Sequence, residues 1–214
     1  MSGPRLVMLG RQGAGKGTQC VRLSRHYVIP HISTGDMLRA AVREGTEFGR
    51  KAKEVMDRGE LVSDDIMGGV VDERLSRDDA RDHGYILDGF PRTRAQAEAL
   101  KEMGVELDVV LNIVVSDEAV IGRLGGRISC PSCGTVFHEM FSPPSSPNVC
   151  DACGHQGLIK RDDDQPAAIK QRLEGYHAQT APLIAFYEEI GALVAIDGEQ
   201  SPDDVSRSIS EVIG

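Results

Sequence analysis

The chain has 214 residues, enough for one well-buried core with room for an insertion. It carries 24 Lys and Arg against 33 Asp and Glu, a formal net charge of −9. A field of that sign repels polyanions and argues against coating nucleic acid or an anionic membrane as the main role. No apolar run approaches the roughly 18 residues of a membrane span, and the N-terminus lacks a secretory signal pattern. We therefore expect a soluble, cytoplasmic protein in which phosphate binding depends on locally concentrated cations.

The first element, Arg5–Leu9, is an apolar run with the character of a strand, and a helix is expected from about Lys16. The connecting segment Gly10–Thr18 reads GRQGAGKGT and matches a phosphate-binding loop as far as its lysine. Gly17 then stands where the strict pattern has Ser or Thr. Amide groups of such a loop, with the positive end of the following helix, form an anion site. The alternative is an ordinary glycine-rich turn between a strand and a helix.

Strands and helices alternate along the rest of the chain, which predicts an α/β fold with a mainly parallel sheet. The further strands are expected at His31–Ser33, Tyr85–Asp88, Val109–Val115 and Leu193–Ile196. Helix starts are expected at Thr46, Ser63, Ser116 and Ser201. The apolar stripes of the helices are carried by Ala52, Leu100, Ile169, Leu173, Val205, Ile209 and Val212, and Pro182 is expected to interrupt the long helix.

Between about Ile128 and Lys160 the chain is rich in Ser, Pro, Gly and Cys and has too few large apolar residues for a core of its own. Its cysteines form a C-x2-C pair, a spacer of sixteen residues and a second C-x2-C pair, at Cys130, Cys133, Cys150 and Cys153. This spacing favours a closed, structural zinc site over two disulfides or unliganded thiols. The nearby His138 and His155 are interpreted as surface residues, and Cys20 as a small core residue.

Several charged residues follow predicted strands or flank this insertion. Asp88 ends a strand and Arg92 lies just beyond it, while Arg39 lies one turn inside a helix. The other members are Arg123, Arg127, Arg161 and Arg172. A single arginine is usually solvated or ion-paired, but ligands gather at strand ends in open α/β sheets. The set suits phosphoryl transfer, which needs alignment and charge neutralisation, with Asp88 as a candidate partner of magnesium through water.

Together these motifs resemble adenylate kinases, in particular the bacterial type with a long, zinc-bearing lid. The segments that carry the resemblance are Gly10–Thr18, Ser33–Arg39, Asp88–Thr93, Gly126–Arg127, the four cysteines, Arg161–Asp163 and Gln171–Leu173. The resemblance covers residues 5–214 and implies a monomer that catalyses MgATP + AMP ⇌ 2 ADP. It also implies a P-loop nucleoside monophosphate kinase fold with a five-stranded parallel sheet flanked by helices. The core would comprise residues 1–32, 63–125 and 164–214, with an AMP-binding lobe at 33–62 and a zinc-bound lid at 126–163.

The resemblance further assigns residues to roles. Catalysis would involve Lys16, Asp88, Arg92, Arg127, Arg161 and Arg172. ATP would be bound by Gly13, Ala14, Gly15, Lys16, Gly17, Thr18, Arg123, Arg127, Val136, Phe137 and Gln200. AMP would be bound by Thr34, Arg39, Glu60, Leu61, Val62, Gly89, Phe90, Pro91, Arg92, Gln96, Arg161 and Arg172. Magnesium would accompany ATP, and zinc on the four cysteines would stabilise the lid.

The chain departs from the family pattern at two positions: Gln12 replaces a common proline, and Ile128 replaces a second lid arginine. One alternative is a kinase for UMP, CMP or GMP, although Thr34 and Gln96 at their matching positions favour AMP. A second alternative is a non-enzymatic zinc module that binds nucleic acid or a protein and uses the phosphate loop as a nucleotide sensor. That role predicts a basic, aromatic-rich surface, whereas residues 128–160 offer two phenylalanines and little positive charge.

Overall fold

The structure, a computed structural model, describes residues 3–45, 47–57 and 62–214. The strands in this part of the chain are β1 Arg5–Gly10, β2 His31–Ser33, β3 Tyr85–Asp88, β4 Val109–Val114, β5 Arg127–Ser129, β6 Val136–His138 and β7 Leu193–Asp197. The helices are α1 Lys16–Tyr27, α2 Thr34–Glu44, α3 Glu47–Asp57, α4 Asp64–Leu75, α5 Asp78–Arg81, α6 Arg94–Glu102, α7 Asp117–Gly125, α8 Pro166–Gly175, α9 Ala181–Glu189 and α10 Pro202–Ile213. In this part of the chain, no helix is long and apolar enough to cross a membrane.

Five parallel strands form the main sheet in the order β2-β3-β1-β4-β7. Its centre is β1, where Leu6, Val7 and Met8 are fully buried. Because successive side chains of a strand point to opposite faces, a strand covered on both sides must be apolar throughout. One apolar cluster lies on each face of the sheet, as this pattern requires. The carboxyl ends of β1, β2 and β3 therefore meet at one edge.

All five predicted strands of this sheet are confirmed, with ends that differ by at most one residue. The predicted capping by Ser116 and Ser201 is also confirmed, since each side chain accepts a hydrogen bond from a backbone amide three residues on. Ser63 precedes α4 without such a bond, and Thr46 lies outside the described residues. Val212 was wrongly placed in the apolar stripe of α10, because 37 % of it is exposed.

The predicted interruption of the long helix is confirmed at a π-helical turn, Tyr176–Thr180, between α8 and α9. Proline has no amide hydrogen, so Pro182 near the start of α9 cannot continue the regular helical hydrogen bonds. The amide of Ala181 instead bonds to the carbonyl of Tyr176, five residues back. The turn joins two shorter helices, of which α8 carries Arg172.

Residues 126–163, here called the cysteine segment, contain the short antiparallel pair β5–β6, which the sequence did not predict. Ile159 forms a bridge to Ser129 on the other side of β5. The segment has its own small apolar cluster of Cys130, Phe137 and Cys150. So few apolar side chains cannot hold a segment of this length, which indicates that the cysteines supply the missing stabilisation.

Candidate functional site

The phosphate loop, Gly10–Thr18, leads from β1 into α1. Gly10, Gly13 and Gly15 have φ angles of +133°, +76° and +96°, in the region that only glycine adopts freely. A Cβ atom at Gly10 would also lie 2.5 Å from the carbonyl oxygen of Ile113. The Nζ atom of Lys16 donates to the carbonyl oxygens of Gly10 and Arg11, both at 2.8 Å. The Lys16 side chain thus folds back across the phosphate loop that precedes it in the chain.

Burial lowers the pKa of Lys16 to about 8, although the nearby Asp88 carboxylate opposes this shift. Asp88 lies at the end of β3, where its Oδ2 atom is 3.1 Å from Nε2 of His31. Burial acts to raise the pKa of Asp88, but the contact with His31 and the charge of Lys16 outweigh it, so the pKa lies below its ordinary value. A charged lysine and an ionised carboxylate therefore face one another at the edge of the sheet.

Arg92 follows β3 and is held by hydrogen bonds to uncharged groups. Its Nε atom donates to the carbonyl oxygen of Gly89 at 2.7 Å, and its backbone amide donates to Oε1 of Gln96 at 2.7 Å. Among the described residues no carboxylate lies within 4.0 Å of its guanidinium. Burial, followed by repulsion from Arg172, lowers the pKa of Arg92 to about 10. The structure therefore holds a partly buried cation that has no paired anion in the described part of the chain.

Arg161 and Arg123 likewise donate hydrogen bonds to uncharged groups. Arg161 donates to the hydroxyl of Ser129 at 3.1 Å, and burial, then the charges of Arg127 and Arg39, lower its pKa to about 10. Arg123 donates to the carbonyl oxygen of Gly198 at 2.8 Å and, at 3.4 Å, to that of Ala14 in the phosphate loop. Neither guanidinium has a carboxylate within ion-pair distance in the part of the chain that the structure describes.

The remaining arginines of the predicted set are paired with aspartates. Nε of Arg127 lies 2.7 Å from Oδ2 of Asp164, which is buried, and Nη1 of Arg172 lies 2.8 Å from Oδ2 of Asp163. Arg39 bonds to Asp36, one turn before it on α2. These arginines still influence one another, since Arg39 and Arg127 both lower the pKa of Arg172. Helix α2, the cysteine segment and α8 thus bring their cations to one place.

Several other predicted residues lie close to this group. The Thr34 hydroxyl donates to the carbonyl oxygen of Gly89 at 2.9 Å, and the Gln96 amide donates to Asp64 at 2.7 Å. Phe90 is buried and joined to Pro91 by a cis peptide bond. Around the ATP side, 46 % of Val136 is exposed, Phe137 packs inside the cysteine segment, and Gln200 bonds to Asp197. Val62 packs against the core, and Glu60 and Leu61 lie outside the described residues.

The residues that pair with these charged groups were assigned no role from the sequence. His31, Asp163 and Asp164 hold Asp88, Arg172 and Arg127 respectively. Asp163 and Asp164 belong to the acidic run Asp162–Asp164 that directly follows Arg161, so an acidic run beside a predicted site arginine was the available signal. His31 offered none, because its closeness to Asp88 depends on the pairing of β2 with β3.

The four cysteines of the cysteine segment come together as predicted. All four Sγ atoms lie within 4.8 Å of one another, with Cys130 and Cys153 3.6 Å apart and Cys133 and Cys150 3.5 Å apart. A tetrahedral zinc with Zn–S bonds of about 2.3 Å places its sulfurs about 3.8 Å apart, so the donors fit such an ion. Each pair closes the same turn, in which Gly134 and Gly154 donate to the carbonyl oxygens of Cys130 and Cys150. Hydrogen bonds from Thr135 lower the pKa of Cys133 to about 6.

Comparison with known proteins decides the family. A family model described as adenylate kinase matches residues 8–192. The chain belongs to the adenylate kinase family. The adenylate kinase of Methanococcoides burtonii is 50 % identical over 212 residues, covering 97 % of both chains. That of Caldicellulosiruptor bescii is 49 % identical over 214 residues, covering 98 % of this chain and 99 % of the relative.

A third adenylate kinase, from Bacillus licheniformis, is 49 % identical over 213 residues and covers 98 % of this chain and 97 % of the relative. The match thus spans the sheet, the arginine group and the cysteine segment together. The chain is an enzyme of reversible phosphoryl transfer between ATP and AMP, which gives ADP. The non-enzymatic zinc module considered above is thereby excluded as its main role.

Proposed function

We propose that this chain converts MgATP and AMP into two ADP by means of four cations that have no carboxylate within ion-pair distance among the described residues. These are Lys16, Arg92, Arg123 and Arg161. The chain has nine more acidic than basic side chains, so anionic partners are abundant in the sequence. Withholding them from partly buried cations costs stability, and phosphate oxygens are the ligands that would compensate. This observation carries the proposal.

On the ATP side, we assign the phosphates to residues 13–18 of the phosphate loop, with Lys16 next to the transferred group. Arg123 on α7 donates to the carbonyl oxygen of Ala14 in the loop, and with Arg127, at the start of β5, it would clamp the ATP phosphates. Val136, Phe137 and the backbone of Gln200 would border the adenine. Magnesium would arrive with ATP, and Asp88, ionised and facing Lys16, would hold it through water.

On the AMP side, we assign the phosphate to Arg39 and Arg92, while Arg161 and Arg172 would lie between the two nucleotides. Thr34, residues 60–62, residues 89–91 and Gln96 would complete the AMP set. Lining the path with guanidinium groups neutralises charge on the moving phosphoryl group, which is the main task of the protein in this reaction. Water must be kept out, since it would otherwise accept the phosphoryl group.

We assign residues 126–163 to a lid, 33–62 to an AMP-binding lobe and the remainder to the core. Zinc on the four cysteines would close a structural site without an open position and so take no part in the chemistry. The chain would work as a cytoplasmic monomer. None of the described helices is long and apolar enough to cross a membrane.

A panel of monophosphates tests the acceptor. ADP formation would be followed with AMP, UMP, CMP and GMP at a fixed MgATP concentration, with and without a chelator of zinc. We expect turnover to be fastest with AMP, and a higher turnover with UMP would overturn the assignment. Replacing Lys16 by Ala should abolish turnover with every acceptor, while Lys170→Ala, at an exposed lysine of α8, should leave it unchanged.

A further inference from the structure

A second group of metal-ligand side chains lies in the core, far from the cysteine segment in sequence. The donor atoms of Cys20, His31 and Asp88 all lie within 4.8 Å of one another. Cys20 lies on α1, His31 opens β2 and Asp88 ends β3, so three separate elements contribute one donor each. Thiolate, imidazole and carboxylate are all ligands of zinc, and together they leave the fourth tetrahedral position open.

The distance between two of these donors is close to the distance between neighbouring ligands of a bound zinc ion. Zinc bonds of about 2.0–2.3 Å place neighbouring donors roughly 3.3–3.8 Å apart. Nε2 of His31 and Oδ2 of Asp88 are 3.1 Å apart, so these two donors need to move only slightly. After burial and the charge of Asp88, the charge of Lys16 also affects the pKa of Cys20. Lys16 therefore lies beside the same space.

Solvent reaches two of the three donors. The side chains of His31 and Asp88 are 17 % and 13 % exposed, whereas Cys20 is fully buried behind them. An ion can therefore meet the imidazole and carboxylate first and the sulfur last. Burial and the charge of Asp88 raise the pKa of Cys20, so the free protein holds a thiol. On binding, the S–H bond breaks, the sulfur–metal bond forms and the proton leaves to solvent.

We propose that Cys20, His31 and Asp88 form a second zinc site at which the free ion binds reversibly and inhibits the enzyme. Zinc there would take the Asp88 carboxylate that magnesium needs and place a positive charge against Lys16. The inhibition rests on the proposed roles of Asp88 and Lys16, whereas the binding does not. The two can therefore be measured separately.

Binding would be measured by equilibrium dialysis of the full chain against buffered free zinc in the micromolar range, without nucleotide. We expect two zinc ions per chain, one of them on the four cysteines. Cys20→Ala should raise the dissociation constant of the second ion at least about tenfold, since even loss of a supporting contact to a ligand costs that much. In weak buffer, the wild type should release a proton on binding the second ion and Cys20→Ala should not.

A second variant guards against an effect of Cys20→Ala on packing. His31→Gln can retain a hydrogen bond to Asp88 but removes the imidazole, and it should also raise the dissociation constant of the second ion. The matched control is His26→Gln, at an exposed histidine of α1, which should bind two ions like the wild type. One ion on the wild type, or a second ion that Cys20→Ala binds as tightly as the wild type, would overturn the proposal.

Inhibition would be measured with magnesium in excess over nucleotide. Added zinc should lower the activity of the wild type and of His26→Gln, and Cys20→Ala should need at least about tenfold more zinc for the same loss. If the second ion binds but activity is unchanged, the inhibitory role fails and, with it, the assigned part of Asp88 in the reaction.

Discussion

The core and the cysteine segment are held together by different means. In the core, two apolar clusters enclose a parallel sheet, and residues far apart in sequence contact one another. In the cysteine segment, three buried residues form the apolar cluster, and two of them are cysteines. Segments with little apolar surface need a metal or another crosslink to remain ordered. The core can therefore hold charged side chains that serve the reaction, whereas the cysteine segment uses its cysteines for stability.

The largest expected effect is a loss of activity without a loss of stability. Arg92→Ala removes a partly buried guanidinium that has no carboxylate partner among the described residues. Removing such a donor from a phosphoryl-transfer site should lower kcat on the order of 10²–10³-fold. Because an unpaired buried charge costs stability, the midpoint of thermal unfolding should stay the same or rise. Both quantities would be measured on the same preparation.

Arg77→Ala is the matched control for this change, since the Arg77 side chain is 63 % exposed and, among the described residues, pairs only with Glu73. It should leave both quantities unchanged. Activity of Arg92→Ala within tenfold of the wild type would contradict the role of Arg92. A large loss of stability would instead show that Arg92 supports the fold.

Removal of the metal should have the opposite effect, acting on stability first. Stripping the proposed zinc ion with a chelator should lower the unfolding midpoint by roughly 5 °C or more, since about 1 kcal/mol corresponds to 2–4 °C at this size. The sheet should persist, because none of its strands lies in the cysteine segment. Calorimetry, with the released metal assayed by a dye, would measure both.

Cys133→Ser should unfold at the lower midpoint with or without chelator, since it lacks one sulfur ligand. Cys20→Ala keeps all four ligands and should remain as sensitive to the chelator as the wild type. Metal release without a change in the midpoint would contradict the structural role of the ion.

The smallest expected effect is a pH dependence of the core. Lys16 is charged below its pKa of about 8 and neutral above it. In the free enzyme, kcat/KM for ATP should therefore fall by up to about tenfold per pH unit above pH 8. Lys16→Arg keeps its charge and should lose this decline, whatever its absolute rate. A decline of the same size in Lys16→Arg would assign it to another group.

The same shift has a defined effect on stability. Because the pKa of Lys16 falls from 10.5 on folding, the unfolded chain binds the proton more tightly between about pH 8 and 10.5. The charged lysine thus costs stability below pH 8, and this cost is relieved as the pH rises through that range. Bound phosphate would oppose the shift and keep Lys16 charged.

Much of the fold was predictable because its signals are local. The strands of the main sheet are short apolar runs between turn residues, and Ser116 and Ser201 mark helix starts by their own side chains. Strands β5 and β6 were missed because each has three residues, too few to show alternation. Val212 was misplaced because the residue that packs against the core in the last turn of α10 is Ile213, which leaves Val212 exposed.

The candidate site was predictable in its residue types more than in its contacts. Spacing in the sequence is enough to recognise Gly10–Thr18 and the four cysteines, and the arginines are recognised by their place near strand ends. Which arginines have carboxylate partners did not follow from spacing. Arg127 pairs with Asp164, 37 residues away, whereas Arg92 has no such partner among the described residues.

The sequence by itself determined an α/β enzyme of phosphoryl transfer with a four-cysteine insertion, because glycine conformations, C-x2-C turns and buried strands depend on neighbours in the chain. The tertiary structure alone decided the strand order, the pairing of Arg127 and Arg172 with aspartates, and the meeting of Cys20, His31 and Asp88. These contacts join distant segments, and their formation depends on how helices pack against the sheet. Local pattern carries no information about that packing.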